Sequence, residues 1–200
     1  PDWQAADPDA LKDRIAEAGI VGMGGAAFPT HVKLSPPPAK PINVLILNGV
    51  ECEPYLTADH RLMLEAVDRI LTGAAILARV LNVTEIHIGI ERNKPDAIEL
   101  MRTAAAAKGI HVVPLRVRYP QGAEKQLIYA VTGRRVPTGG LPMDVGCVVQ
   151  NVATAAAVTD AVCDGKPLYE RVTTVTGVPV ATPGNWRLRV GTPFGEVLEL

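Results

Sequence analysis

Glycines are concentrated in one short stretch that is followed by a lysine. Gly19, Gly22, Gly24 and Gly25 lie within seven residues, and Lys33 follows them. Glycine loses more backbone entropy on folding than other residues, so this density indicates a specific use. One interpretation is a loop whose backbone N–H groups surround an anion such as phosphate, with the lysine supplying positive charge. The alternative is a helix that ends at Gly19 and continues into an ordinary flexible loop.

An acidic loop follows the first strongly apolar segment. Residues 43–48 form a short apolar run, and Glu51 and Glu53 lie in the polar segment after it. In an extended loop, residues two apart point to the same side, so both carboxylates could bind ribose hydroxyls or an amide of a nucleotide. The alternative is a solvated acidic turn before Pro54. Cys52 lies between the glutamates, and we interpret it as a small buried residue because no neighbouring cation would activate its thiol.

Two further polar segments complete a candidate site. One is the turn at 119–125, and the other begins with Asn151, which precedes an alanine-rich segment with helical character. If the strands are parallel, the glycine loop and these segments converge at the carboxyl edge of the sheet. Backbone amides and a helix N-terminus bind phosphate, and asparagine amides pair with the mixed donors and acceptors of a heterocycle. The pattern therefore predicts a phosphorylated ligand.

Strands and helices alternate through the middle of the chain. Apolar or alternating segments at 43–48, 85–90 and 110–117 predict strands. Helical spacing and capping residues predict helices at 8–18, 59–81, 95–108, 124–131 and 152–163. A β-α-β-α-β order implies right-handed connections, so we predict an α/β fold with a Rossmann-like, mostly parallel sheet and flanking helices.

The composition changes near residue 168. Segments 171–176, 186–190 and 197–200 predict short strands separated by Gly and Pro. We therefore divide the chain into an α/β domain at 1–168 and the start of a small β-rich domain at 169–200. Because the chain begins with Pro1 rather than Met, we expect it to be part of a longer protein.

Composition argues against several classes of function. The net charge of −1 gives no reason to expect a nucleic-acid partner. No apolar run approaches the roughly 20 residues of a membrane-spanning helix. Cys52, Cys147 and Cys163 are too far apart in sequence to hold an iron–sulfur cluster by themselves, and the histidines share no metal-ligand spacing. The glycines do not form a Walker loop, because no Gly-Lys-Ser/Thr follows them. They do not form a dinucleotide fingerprint either, because they follow a helix and precede the first strand.

Three stretches of the sequence resemble a known family. Residues 22–33 (GMGGAAFPTHVK), 48–63 (NGVECEPYLTADHRLM) and 136–142 (VPTGGLP) closely resemble the RnfC family, the NADH-oxidising subunits of Rnf electron-transport complexes. They resemble more distantly the flavin subunit of respiratory complex I and the related cobalamin reductases. The segment 177–200 is similar to the start of the soluble-ligand-binding β-grasp domain that follows the flavin domain in this family.

This resemblance implies an FMN cofactor and NADH as the substrate. By position, the residues that would bind or lie beside FMN are Gly22, Gly24, Gly25, Lys33, Asn48, Glu51, Gly122, Ala123, Glu124 and Asn151. Phe28 and Glu53 match positions that contact NADH. Met23, Ala27 and Val50 depart from the complex I pattern and fit the RnfC branch. The family's CxxCxxC segment is absent, so 4Fe-4S clusters are expected only in the missing part of the parent chain.

The resemblance also implies a reaction and a setting. NADH would give a hydride to FMN, and single electrons would pass to iron–sulfur centres outside this chain, so no side chain is expected to be catalytic. The expected partners are NADH and other subunits of a membrane complex, with no direct membrane insertion and a position on the cytoplasmic face of the cell membrane. The alternatives are a cobalamin reductase that uses the same flavin and NADH, and a non-catalytic scaffold that docks another protein of the complex.

Overall fold

A four-stranded parallel sheet forms the centre of the protein. A computed structural model describes residues 2–199. The strands are β1 (Val44–Gly49), β2 (Glu85–Glu91), β3 (Ile110–Leu115) and β4 (Cys147–Asn151), in the spatial order β3-β2-β1-β4. All three pairings are parallel. This arrangement confirms the predicted α/β fold with a Rossmann-like parallel sheet.

Helices cover the two faces of the sheet unequally. The helices of the α/β region are α1 (Pro8–Glu17), α2 (Thr30–Lys33), α3 (Ala58–Glu65), α4 (Val67–Leu81), α5 (Pro95–Ala106), α6 (Glu124–Thr132) and α7 (Val152–Asp164). Helices α1, α4, α5 and α7 contribute to the larger hydrophobic core, and α6 contributes to a smaller core on the other face. The connection from β3 back to β4 runs in the opposite direction to the first two, so a right-handed crossover places α6 on the opposite face.

The alanine-rich helix α7 packs closely against α4. Its contact with α4 is the most extensive contact between any two described elements. At the crossing, a Cβ added to Gly73 of α4 would lie 1.8 Å from the carbonyl oxygen of Ala155 and 2.5 Å from its carbonyl carbon. The helices approach this closely because Gly73 has no side chain and Ala155 only a methyl group at the crossing.

Two short elements were not predicted from the sequence. Strand β4 has only five residues, and α7 begins at the residue after it, so no turn residues separate strand from helix. The four residues of α2 follow the glycine loop directly and were interpreted as part of that loop. Neither segment is long enough to display a period of its own.

One predicted helix is divided in two. The apolar stripe from Met63 to Leu81 predicted a single helix, but the structure ends α3 at Glu65 and starts α4 at Val67. Ala66 has φ −132° and ψ 36°, which is outside the helical region. Met63 packs under the end of β1, where a Cβ on Gly49 would lie 2.7 Å from its sulfur. The apolar spacing continues across Ala66, so the sequence pattern does not reveal the break.

A two-stranded hairpin follows the α/β region. Strands β5 (Glu170–Val175) and β6 (Gly184–Arg189) are antiparallel and confirm two of the three predicted C-terminal strands. The prediction of a third strand at 197–200 is wrong, because a short helix, α8 (Phe194–Leu198), occupies that segment, and Leu200 lies outside the described residues. Pro193 starts this helix by accepting the N–H of Val197 through its carbonyl. The division near residue 168 stays a prediction.

None of the helices within residues 2–199 has the length and apolar character needed to cross a membrane.

We predict that Gly73→Ala destabilises the protein. Alanine normally stabilises a helix interior by about 1 kcal/mol relative to glycine, but here its methyl group would overlap the backbone of α7, and we expect a net loss of about 2 kcal/mol. Urea denaturation would measure this loss in the free energy of unfolding. Gly195→Ala in α8 is the matched control, because its Cβ would meet no atom within 4 Å. Equal effects of the two substitutions would contradict the close crossing of α4 and α7.

Candidate functional site

A cavity opens where the strand order of the sheet reverses. Strands β1 and β4 are neighbours, yet the chain leaves β1 towards β2 and enters β4 from β3. Asn48 near the end of β1 is paired in register with Asn151 at the end of β4. Open α/β sheets form a ligand-binding crevice at such a switch point. The cavity here has a volume of about 690 Å³, and both asparagines line it.

The cavity wall combines parts of the chain that are distant in sequence. The α/β region contributes Met23, Gly24, Gly25, Asn48, Glu51, Cys52, Glu53, Leu56, Ala58, Asp59, Pro120, Gly122, Ala123 and Asn151. The hairpin contributes the four residues of β5 from Arg171 to Thr174. The glycine loop, the acidic loop, the 119–125 turn and Asn151 thus converge as the sequence predicted, and the hairpin adds a wall that it did not predict.

The glycine loop leaves part of its backbone free. Gly22 donates its N–H to the carbonyl of Phe28 at 2.8 Å, and Met23 donates to the buried hydroxyl of Thr154 in α7 at 2.9 Å. Within residues 2–199, the N–H groups of Gly24 and Gly25 have no hydrogen-bond acceptor. Gly25 has φ +143°, a conformation that other residues rarely adopt. Both glycines line the cavity, so two N–H groups without a partner among residues 2–199 belong to its wall.

Asn48 and Gly122 join two of the loops. The Asn48 side chain donates to the carbonyl of Gly122 at 2.9 Å and accepts the N–H of Val50 at 3.1 Å. The N–H of Gly122 lies 3.4 Å from the Cys52 sulfur. A Cβ on Gly122 would lie 3.3 Å from that sulfur, so the glycine permits the close approach. Cys52 is half-buried and lines the cavity, so it is less buried than the sequence indicated.

The two glutamates of the acidic loop point to different partners. Glu51 has φ +45°, and its carboxylate accepts the N–H groups of Asp59 at 2.8 Å and His60 at 3.0 Å. It therefore caps the start of α3. Glu53 is exposed, and its hydrogen bond to the Tyr119 hydroxyl raises the pKa of that phenol. Both residues line the cavity, but the left-handed conformation at Glu51 breaks the extended geometry assumed from their spacing.

Asn151 and Asp59 form a polar pair at the base of the cavity. The Asn151 oxygen accepts the N–H of Ala153 at 2.7 Å, which caps α7, and its amide nitrogen donates to Asp59 at 2.6 Å. Burial raises the pKa of Asp59 to about 6, and the nearby Glu51 carboxylate acts in the same direction. The hydrogen bond from Asn151 and the positive charge of Arg171 oppose this rise without cancelling it.

Four of the predicted site residues do not line the cavity. Lys33 donates to the Glu124 carboxylate at 2.7 Å and to the carbonyl of Val149 at 3.0 Å. Gly22 and Phe28 are joined through their backbones, and the Phe28 ring is 47% exposed. The other eight line the cavity: Gly24, Gly25, Asn48, Glu51, Glu53, Gly122, Ala123 and Asn151.

Sequence reasoning missed a buried lysine beneath the acidic loop. Lys94 is 6% exposed and donates to the carbonyls of Val50 at 3.0 Å and Glu51 at 3.4 Å. Its counter-ion is Glu91, 1% exposed and 3.7 Å away, which also accepts the N–H of Arg118. In the sequence, a charged residue before Pro95 indicates only the start of a helix. The ion pair supports the backbone that carries Glu51.

Asp59 and Arg171 were also missed as cavity residues. The sequence marked Asp59 as a helix cap, and Arg171 lies in a segment assigned to another domain. No motif could have identified either, because their positions depend on how α3 and the hairpin are placed. Among the described residues, no three His, Cys, Asp or Glu side chains are close enough to hold a metal ion.

We predict that Asp59→Asn stabilises the protein at neutral and higher pH. The folded-state pKa of about 6 exceeds the ordinary value of 3.8, so the stability contributed by this carboxyl is present below pH 3.8 and is lost as pH rises through 6. An asparagine oxygen can still accept from Asn151. We expect a gain of about 2 kcal/mol near pH ~8 and little difference at the acid end, measured by urea denaturation across pH.

Asp96→Asn is the matched control for this measurement. The hydrogen bond from His60 holds the pKa of the exposed Asp96 below its usual range. Its contribution is therefore present above the ordinary pKa and is lost as pH falls, which is the opposite sign. If Asp59→Asn left the pH dependence of stability unchanged, the buried carboxyl would not have the raised pKa.

Comparisons with known proteins agree with this geometry. Residues 15–160 match the family described as the Nuo51 FMN-binding domain. A component of the proton-translocating ferredoxin:NAD(+) oxidoreductase complex of Clostridium ljungdahlii is 53% identical over 197 residues, covering 98% of this chain and 43% of the relative. The corresponding component of the Na(+)-translocating complex of Acetobacterium woodii is 48% identical, covering 96% and 44%.

Two solved structures share the fold. An NAD+-reducing [NiFe]-hydrogenase in the air-oxidised state has a TM-score of 0.82 at 26% identity, covering 100% of this chain and 39% of that one. The H2-reduced state gives 0.79 at 26% identity, covering 96% and 38%. The chain thus spans less than half the length of these relatives.

The matched residues include the glycine loop, the acidic loop, the 119–125 turn and Asn151, which together form most of the cavity wall. The names of the Clostridium and Acetobacterium relatives also agree with the RnfC resemblance found in the sequence. The chain belongs to the family of Nuo51 FMN-binding domains.

Proposed function

We propose that this chain is the FMN-binding, NADH-oxidising module of an Rnf-type electron-transport complex. The observation that carries the proposal is the cavity at the switch point of the sheet, where unpaired backbone donors of the glycine loop lie with two asparagine side chains. Family membership supports the flavin. The names of the two bacterial relatives, both ferredoxin:NAD(+) oxidoreductase complexes, support the nicotinamide substrate and the assembly.

The residues of the cavity fit FMN. Its volume of about 690 Å³ lies within the roughly 300–1,000 Å³ of small-molecule sites. The N–H groups of Gly24 and Gly25 suit an anionic oxygen, and Asn48 and Asn151 carry amides suited to a heterocycle. Gly122 presents no side chain at the opposite wall. When bound, the flavin would accept a hydride and release electrons singly, which is the chemistry that the protein itself lacks.

The chain's own residues would bind and orient rather than transfer protons. Glu53 is exposed on the cavity wall, Phe28 is exposed outside it after the glycine loop, and these are the residues we assign to NADH. The Lys33–Glu124 ion pair would act indirectly, because it joins α2 to the start of α6 next to Gly122 and Ala123. The protein's role in this proposal is to hold two reactants in contact, which alone accelerates a bimolecular step.

The electron acceptor lies outside this chain in our proposal. We infer that 4Fe-4S clusters in the rest of the parent chain receive the electrons, and that the module is peripheral on the cytoplasmic face of the cell membrane with the other proteins of the complex as partners. A cobalamin reductase would share the flavin and NADH and differ in its acceptor. A docking scaffold would share the fold and bind no flavin.

We predict that the 200-residue chain binds FMN and that the bound flavin is bleached by NADH without oxygen. Quenching of flavin fluorescence measures the binding, and loss of the visible flavin absorbance measures the reduction. A chain that remains colourless after incubation with FMN, with no thermal shift, would contradict the proposal and favour the scaffold. Rapid reoxidation of the reduced protein by a cobalamin would instead favour the cobalamin reductase.

We predict that Phe28→Ala weakens the use of NADH without weakening FMN binding. The half-exposed ring offers a surface for the nicotinamide nucleotide, and its loss should raise the KM for NADH about tenfold, equivalent to one stacking contact of about 1.4 kcal/mol. Tyr129→Ala is the matched control, because Tyr129 has the same 47% exposure but lies on α6 and outside the cavity wall. Equal KM values for the two variants would remove Phe28 from the NADH site.

A further inference from the structure

The cavity wall carries more negative than positive charge, so an anionic ligand needs a cation in the wall to offset the carboxylates. Among the described residues of the wall, the acidic side chains are Glu51, Glu53 and Asp59, and the basic side chain is Arg171. A flavin phosphate carries up to two negative charges. Without a cation, three carboxylates would repel it, because charges interact strongly in a partly desolvated cavity. Within the wall, Arg171 is therefore the candidate counter-ion for a phosphate, and the nearby lysines must be considered beside it.

Two lysines near the cavity, Lys33 and Lys94, already have hydrogen-bond and ion-pair partners within the protein. Lys33 hydrogen-bonds Glu124 and the carbonyl of Val149, and it does not line the cavity. Lys94 is buried under the acidic loop, where its ammonium group donates to backbone carbonyls and faces Glu91. Moving either lysine towards a ligand would leave a carboxylate without its partner.

Arg171 lies beside the unpaired donors of the glycine loop. Its guanidinium group donates to the carbonyl oxygen of Met23, the residue directly before Gly24 and Gly25. Within residues 2–199, no carboxylate oxygen lies within ion-pair distance of this guanidinium. An arginine has five N–H donors in a planar fork, so one bond to a carbonyl leaves others available.

The hairpin is anchored on both sides of Arg171. Before it, the N–H of Leu168 donates to the carbonyl of Ala18 at 2.9 Å. After it, the hydroxyl of Thr174 accepts the N–H of Thr57 at 3.2 Å and donates to Asn185 at 2.7 Å. These two contacts with Ala18 and Thr57 hold the hairpin against the α/β region without using the Arg171 side chain.

We propose that Arg171 binds the phosphate of FMN together with the N–H groups of Gly24 and Gly25. The β5–β6 hairpin then forms part of the flavin site instead of following it as a separate element. The arginine and the two backbone N–H groups provide a charged fork opposite neutral donors, which suits a phosphate monoester. This inference rests on the proposed function, because it takes FMN as the ligand of the cavity.

The alternative role for Arg171 is purely structural. Its bond to the Met23 carbonyl could fasten the hairpin to the glycine loop, and a substitution would then disturb the whole cavity. The two roles differ in one measurable respect. A phosphate-binding residue affects FMN and leaves riboflavin, which has the same ring and ribityl chain without the phosphate, unchanged. A fastening residue affects both flavins alike.

The test compares the Kd values of FMN and riboflavin by fluorescence quenching for the wild-type chain and for Arg171→Gln. We expect FMN binding to weaken about 10- to 100-fold, as for the loss of a charge-assisted hydrogen bond, and riboflavin binding to change less than about twofold. Arg171→Lys should weaken FMN binding less than Arg171→Gln does, because lysine keeps the positive charge but lacks the planar fork of donors. Arg189→Gln is the matched control, because Arg189 is exposed on β6 and does not line the cavity.

Thermal unfolding of the ligand-free variants accompanies these titrations, so that a loss of folding is recognised as such. Equal weakening of FMN and riboflavin by Arg171→Gln would overturn the inference and leave the fastening role. An unchanged Kd for FMN in Arg171→Gln would also overturn it, while the FMN-binding function would stand. A wild-type chain that binds neither flavin would refute the proposed function, and the inference would fail with it.

Discussion

The reversal of strand order between β1 and β4 is the constraint on which the rest of this structure depends. Right-handed connections place α4 and α5 on one face as the sheet grows from β1 to β3, and they place α6 on the other face as the chain returns to β4. The acidic loop after β1 and helix α7 after β4 therefore begin at two neighbouring strands and lead away from each other. Asn48 and Asn151 are paired in register at that point, and their side chains bond Gly122 and Asp59 of the cavity wall.

The cavity is organised by helix caps as much as by its ligand-facing groups. Glu51 caps α3 and Asn151 caps α7, so the side chains that line the cavity also terminate the helices that enclose it. Asp59 is held between them, and its burial raises the carboxyl pKa to about 6. Lys94 holds the backbone of the acidic loop from below. A wall that is ordered in this way loses little entropy when a ligand binds, which favours affinity.

The β5–β6 hairpin and the α/β region form one cavity together, although their compositions differ. Composition separates residues after 168 from the α/β region, yet β5 supplies one wall of the cavity. It also hydrogen-bonds the glycine loop through Arg171 and Thr57, the residue before α3, through Thr174. These hydrogen bonds join the hairpin to the α/β region at the cavity itself. Any ligand in the cavity would then touch both parts, so binding and the attachment of the hairpin would be coupled.

The sequence by itself determined the α/β class, three of the four parallel strands and the convergence of the polar loops, because periodicity and strand ends are local properties. It also identified eight residues that line the cavity. It did not determine β4, which lacks a turn before α7, or the break at Ala66, which keeps the helical spacing. Only the tertiary structure decided that Lys33 pairs with Glu124 and that Arg171 lies at the glycine loop. The partners of a charged side chain come from distant segments, and no local pattern encodes which segments will meet.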